Sequence, residues 1–201
     1  MKFQLERIAL FSDAVFAIAI TLMMIEIKAP HLGHHVPFGE ALGTFLELLP
    51  IFMGTILSFF IIGVYWSKHH KLMKYLTGYT PKLIWLNIGF LLTIAFIPFS
   101  TSFVFENFMA YSPVPLLVYN FNYTMATLLE YRLFSYALNP KNGICTSDTI
   151  PESDYNKKEM LFPIVVYALV SGLAFVNPAI AFMGYGAFGL QNMLSKRSAK
   201  K

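Results

Sequence analysis

The chain has 201 residues, of which 56% are hydrophobic, 16% aromatic and only 13% charged, with a mean hydropathy of +0.57. An ordinary soluble domain carries about a quarter of its residues as charges, so this balance excludes one and marks an integral membrane protein. The formal net charge of +4 follows from how basic residues flank membrane spans and requires no nucleic-acid partner.

Crossing about 30 Å of hydrocarbon takes ~20 apolar residues. Six stretches approach that length, at about 6–27, 45–66, 83–105, 114–136, 160–177 and 179–195. The predicted fold is an all-α membrane protein of six transmembrane helices, with residues 1–201 forming one subunit and no soluble domain. In the first span Arg7, Phe11, Ser12 and Asp13 sit where charge is costly, which makes the cluster a candidate functional site. Asp13 also argues against a cleaved signal peptide, despite Lys2, Arg7 and the small residues Ala17 and Ala19, because it interrupts what would be the apolar core.

The face geometry of this first helix follows from a turn of about 100° per residue. With Ile18 at zero, Leu22 falls at about +40°, Ile25 at about −20°, Ala14 at about −40° and Thr21 at about −60°, a single stripe. Ser12 at about +120° and Asp13 at about −140° lie on the far side, whereas Phe11 at about +20° points with the stripe. Periodicity alone favours ordinary helix packing for the stripe. Asp13 needs donors inside the protein, and Trp66, His69 and Asn87, at the cytoplasmic ends of the second and third spans, offer an indole, an imidazole and an amide for the carboxylate and Ser12. Arg7, nearly two turns away, could reach Asp13 or a neighbouring subunit. A packing clamp is favoured over a titrating or ion-binding role.

Glu26 stands near the outer mouth, either as one member of a cation-attracting ring or as a loop-edge charge beside Lys28. The first outer loop, 28–43, contains His31, His34 and His35, whose loose spacing around Gly33 reads as incidental, so no metal site is expected. Thr77-Gly78-Tyr79-Thr80 superficially resembles a potassium-filter sequence, but it lies among lysines in a cytoplasmic loop. Trp66 and Trp85 flank that loop as interfacial anchors. Pro98 and Pro163 mark kinks in the third and fifth spans. Asn120, Asn122 and Thr124 in the fourth are expected to hydrogen-bond between helices. In the loop 137–159, Pro151-Glu152-Ser153-Asp154 is expected to cap the fifth helix, and the lone Cys145 to be a bystander. Ala181, Gly184, Gly186 and Gly189 in the sixth span permit close packing.

All of the 15 basic residues except Lys28 fall on one side of this six-span layout. Positive loops stay cytoplasmic, so both termini are placed in the cytoplasm.

An arginine followed by Phe-Ser-Asp at the start of the first span (Arg7, Phe11, Ser12, Asp13), with Trp66 and His69 closing the second and Asn87 and Pro98 in the third, resembles the transmembrane protein 175 family of potassium channels. The resemblance covers all six spans. It implies a multi-pass protein of the bacterial inner membrane, needing no cofactor and not an enzyme, that conducts potassium with modest selectivity. It also implies that no Thr-Val-Gly-Tyr-Gly filter is present and that single-repeat bacterial chains assemble as homotetramers. By the same resemblance the first helix lines the central pore, Ile18 forms the aliphatic constriction, and Thr21, Leu22 and Ile25 continue the lining. The Arg7, Phe11, Ser12 and Asp13 cluster, with Trp66, His69 and Asn87, then braces helices rather than lining the pore. A secondary transporter of a cation or small solute is the alternative reading, although no half-to-half symmetry supports it. An intramembrane enzyme would have only Asp13, His69 and Ser12 to work with.

Overall fold

A computed structural model describes residues 2–107, 110, 112–145 and 156–185. Among them the chain is helical, without strands, in the order α1 (Lys2–Ile25), α2 (Phe38–Leu46), α3 (Leu49–Tyr75), α4 (Pro81–Ala95), α5 (Ile97–Glu106), α6 (Val114–Ala137), α7 (Lys157–Ala174) and α8 (Pro178–Met183). Among the described residues three helical stretches are long and apolar enough to cross a membrane: Gln4–Ile25, Phe38–Tyr75 and Pro81–Glu106. Asn120, Asn122, Glu130 and Arg132 make α6 more polar, and Lys157, Lys158 and Glu159 do the same at the start of α7.

Two boundaries differ from the sequence expectation, each for a local reason. The first outer loop is shorter than 28–43, because α2 begins at Phe38. The second span does not end near Trp66, since α3 runs on to Tyr75. His69, Leu72 and Leu76 repeat at three and four residues and are all buried, so the extension keeps packing on the core after it becomes basic. The third span breaks at Phe96 between α4 and α5. Pro98 explains the break: it has no N–H for the carbonyl four residues back, and its ring crowds that carbonyl.

Helix ends follow capping chemistry. Thr80 Oγ1 accepts from Leu83 N at 3.1 Å, with Pro81 in the first turn. Thr77–Thr80 is thus the lead-in to α4 rather than a filter. Asn156 Oδ1 caps α7 by accepting from Lys158 N at 3.0 Å and Glu159 N at 3.4 Å. The segment 151–154, expected to supply that cap, lies outside the described residues, as do Gly186, Gly189 and most of the expected sixth span. Thr77 N donates to Ile144 O at 2.9 Å, tying the end of α3 to the turn after α6, where Cys145 sits in a bridge with Leu76.

α1 packs on α3, α4 and α5, while α6 packs on α4, α5 and α7, and α8 folds back on α7. The core is centred on Phe16, Ile62, Leu83, Phe90, Ile94, Leu116, Tyr123 and Leu133. Gly54 lets α3 approach α5, because a Cβ there would overlap the Phe105 ring. Gly184 serves the fold-back of α8, where an added Cβ would come within 2.8 Å of Val170 Cγ2. Polar pairs join the apolar core: Asn120 Nδ2 donates to Ser171 Oγ at 3.0 Å and Asn122 Nδ2 to Ser100 Oγ at 3.2 Å. These are the interhelical bonds expected of Asn120 and Asn122; Thr124 makes none among the described residues.

Candidate ion pathway and its polar brace

The first helix has two unlike faces. Ser12, Phe16, Ala19 and Met23, spaced four, three and four residues apart, are buried against α3 and α4. Phe11, Ala14, Ile18, Thr21, Leu22 and Ile25 are exposed, Ile18 by 57%. The stripe drawn from helical geometry is therefore the face that the folded chain leaves uncovered, and Phe11 belongs to it. Leu10, Ala17 and Met24 widen the exposed arc on one side.

On the buried face, Ser12 is fully enclosed, and its Oγ donates to Ile8 O at 2.8 Å and accepts from Asn87 Nδ2 at 2.9 Å. The Asn87 carbonyl oxygen then pairs with His69 Nε2 at 2.8 Å. An amide oxygen can only accept, so the Nε2 of His69 carries the proton. Phe16 and Phe90 enclose this chain, with ring centroids 5.7 Å and 6.0 Å from the His69 ring. The relay links α1, α4 and α3 through groups that water does not reach, which fixes their relative rotation.

Asp13 stands apart from that relay. It is half-buried and accepts from Trp66 Nε1 at 2.9 Å, and the Trp66 ring stacks on His70 at 5.6 Å. The three donors proposed for one clamp are thus divided: Trp66 holds Asp13, while Asn87 and His69 serve Ser12. Arg7 is exposed and forms no ion pair with Asp13 among the described residues.

Thr21 Oγ1 lies 3.0 Å from Ala17 O and 2.9 Å from Ile18 O. Its single proton is directed back to the helix, which leaves oxygen lone pairs facing the exposed side. Glu26 follows α1, half-buried, and is not ion-paired with Lys28. His31, His34 and His35 are exposed, and no group of three His, Cys, Asp or Glu side chains among the described residues could hold a metal.

One site escaped the sequence reading. Lys68 Nζ lies 3.4 Å from Oε2 of the buried Glu130, joining α3 to α6. The rule that flags Asp13, an ionisable group inside a span, applies equally to Glu130 and would have found it.

Fold and site together define a helical membrane protein whose first helix is braced on one side and bare on the other. The family model described as endosomal/lysosomal potassium channel TMEM175 matches residues 7–98. That interval begins at the arginine of the Phe-Ser-Asp cluster and ends at the proline of the α4–α5 break. A potassium channel of Chryseobacterium sp. is 27% identical over 179 residues, 89% of this chain and 87% of that protein. The chicken (Gallus gallus) endosomal/lysosomal proton channel TMEM175 is 37% identical over 97 residues, 46% of this chain and 19% of that protein. A crystal structure of a lysosomal potassium-selective channel TMEM175 homologue from Chamaesiphon minutus matches with a TM-score of 0.77 and 26% identity, covering 96% of this chain and 97% of that one. The chain is thus similar to the TMEM175 family, over residues 7–98 by the family model and over nearly its whole length to the Chamaesiphon minutus homologue.

Proposed function

We propose that this protein is a potassium-permeable channel of the cell membrane. In this reading six spans, with both termini cytoplasmic, assemble as a homotetramer with α1 of each subunit against a central axis. Ile18 supplies the narrowest ring, Leu22 and Ile25 extend it outward, and Thr21 supplies hydroxyl oxygens beside it. Four aliphatic side chains on an axis make an apolar neck that gates by dewetting. Potassium, being more weakly hydrated than sodium, passes such a neck at lower desolvation cost, so modest selectivity needs no Thr-Val-Gly-Tyr-Gly filter. The observation that carries the reading is the pairing of faces on α1. The face opposite Ile18 is locked into the subunit by the Ser12–Asn87–His69 relay, so the Ile18 face is held outward at a fixed angle.

The test is electrical recording from purified protein in planar bilayers under a potassium gradient. Unitary currents reversing toward the potassium equilibrium potential are expected. Flux that saturates like a carrier's, with no unitary events, would instead support the transporter alternative.

A further inference from the structure

Away from α1, one face of α6 presents Tyr119, Thr127, Glu130 and Phe134, at intervals of eight, three and four residues. These residues form one wall of a cavity of about 550 Å³ closed by α3, α7 and Tyr185. Glu130 is only 1% exposed, whereas the Lys68 side chain, its ionic partner, is 38% exposed. Lys68 Nζ is also 5.8 Å from the centre of the Tyr65 ring, and Tyr65 Oη pairs with Thr127 Oγ1 at 2.9 Å. The protein thus already holds one ammonium between a carboxylate and a tyrosine face, the combination that favours organic cations. The second carboxylate oxygen, Oε1, has no hydrogen-bond partner among the described residues, and an unmatched buried acceptor of a charged group is costly to leave so. Tyr119, Tyr167 and Tyr185 add further aromatic faces, and Leu57, Ile61 and Met160 add aliphatic ones.

The geometry points to a binding site in this cavity for a small organic amine, its ammonium on Glu130 Oε1 and its apolar body among the tyrosines and aliphatic side chains. Of the charged side chains that line the cavity, Lys68, Lys71, Glu130 and Glu159, only Glu130 is buried, and a buried charged anchor in a largely apolar, pocket-sized cavity is the usual form of a small-molecule site. Lys68 acts as an internal competitor, because its own ammonium occupies the other oxygen of the same carboxylate. The site is separate from the Ile18 face and makes no use of ion conduction.

Benzylamine is the probe and benzyl alcohol, of nearly the same shape, the neutral control, each titrated calorimetrically into the full chain in lipid nanodiscs. Benzylamine is expected to bind at least tenfold more tightly than the alcohol. Glu130→Gln should weaken it at least tenfold, and Lys68→Met should tighten it several-fold by removing the competitor. Val64→Trp, at an exposed position on the cavity's edge, should weaken it without touching the ion pair, and it carries the test if Glu130→Gln does not fold. Equal binding of amine and alcohol would overturn the site. So would an affinity unchanged by both Glu130→Gln and Val64→Trp, or one abolished by Ile18→Asn instead, which would put the amine in the ion pathway. Binding is read without any current, so a failed conduction reading and a failed amine site are distinguishable.

Discussion

The two faces of α1 are built from similar apolar residues and differ in what holds them. On one, Phe16, Ala19 and Met23 are buried and Ser12 is tied through Asn87 to His69, with each bond between 2.8 and 2.9 Å. On the other, Ile18, Leu22 and Ile25 are as apolar but exposed, and the one hydroxyl, Thr21, is bonded to its own helix. Directionality separates the two. Apolar contacts tolerate rotation of a helix, whereas a three-member hydrogen-bond relay in a dry interior does not. The polar residues are therefore on the face that must not turn, and they fix the direction in which the exposed stripe points without belonging to it.

The strongest way to break that contrast is to cut the relay at its centre. Asn87→Ala removes the acceptor of a buried His69 N–H and the donor to Ser12, and it leaves a void. The combined cost is about 2–4 kcal/mol. Thermal unfolding in detergent should show the loss, together with reduced recovery of the assembled form. Asp13→Ala should cost less, about 1 kcal/mol, because the carboxylate is half-exposed and has one bond, from Trp66. A larger loss for Asp13→Ala than for Asn87→Ala would move the brace onto the Trp66 contact.

On the open face the effects should fall on permeation rather than stability. Ile18→Asn places four amides where the apolar neck is proposed, wets it, and should raise unitary conductance several-fold while eroding potassium preference. Unchanged single-channel currents would remove Ile18 from the constriction. Thr21→Val keeps side-chain volume and deletes the lone pairs that face outward, so conductance should change little. The reversal potential between potassium and sodium solutions should shift toward zero, and an unshifted one would show that the hydroxyl is not felt by the ion.

Much of this contrast was legible in the sequence, because both of its elements are local. The stripe and the Ser12 face follow from a 3.6-residue period within one helix, and the family signature lies within the same turns. The partners were half legible. Trp66, His69 and Asn87 are the residues that meet the cluster, but which one takes Asp13 and which takes Ser12 depends on the rotation of α3 and α4, which no single-helix wheel contains. The extension of α3 to Tyr75 was hidden by its lysines and histidines, which read as a loop until Leu72 and Leu76 are seen to be buried. Glu130 itself was legible as an ionisable group inside a span, but the pair it forms was not. Its partner Lys68 was assigned to a cytoplasmic loop, yet the longer helix carries it beside α6.

The smallest expected effect tests whether the open face continues beyond the neck. Glu26 follows the last turn of α1, half-buried and not paired with Lys28. A ring of four such carboxylates would concentrate cations at the outer mouth by its field alone, touching none of them. That field is screened over about 10 Å at 0.1 M salt and about 3 Å at 1 M. Glu26→Gln should therefore lower inward potassium conductance by no more than about twofold at 0.1 M, and the difference should vanish at 1 M. A deficit that persists at 1 M would mean that Glu26 contacts the ion or shapes the end of α1. No deficit at either concentration would place Glu26 away from the axis and confine the proposed ion-facing stripe to Ile18, Thr21, Leu22 and Ile25.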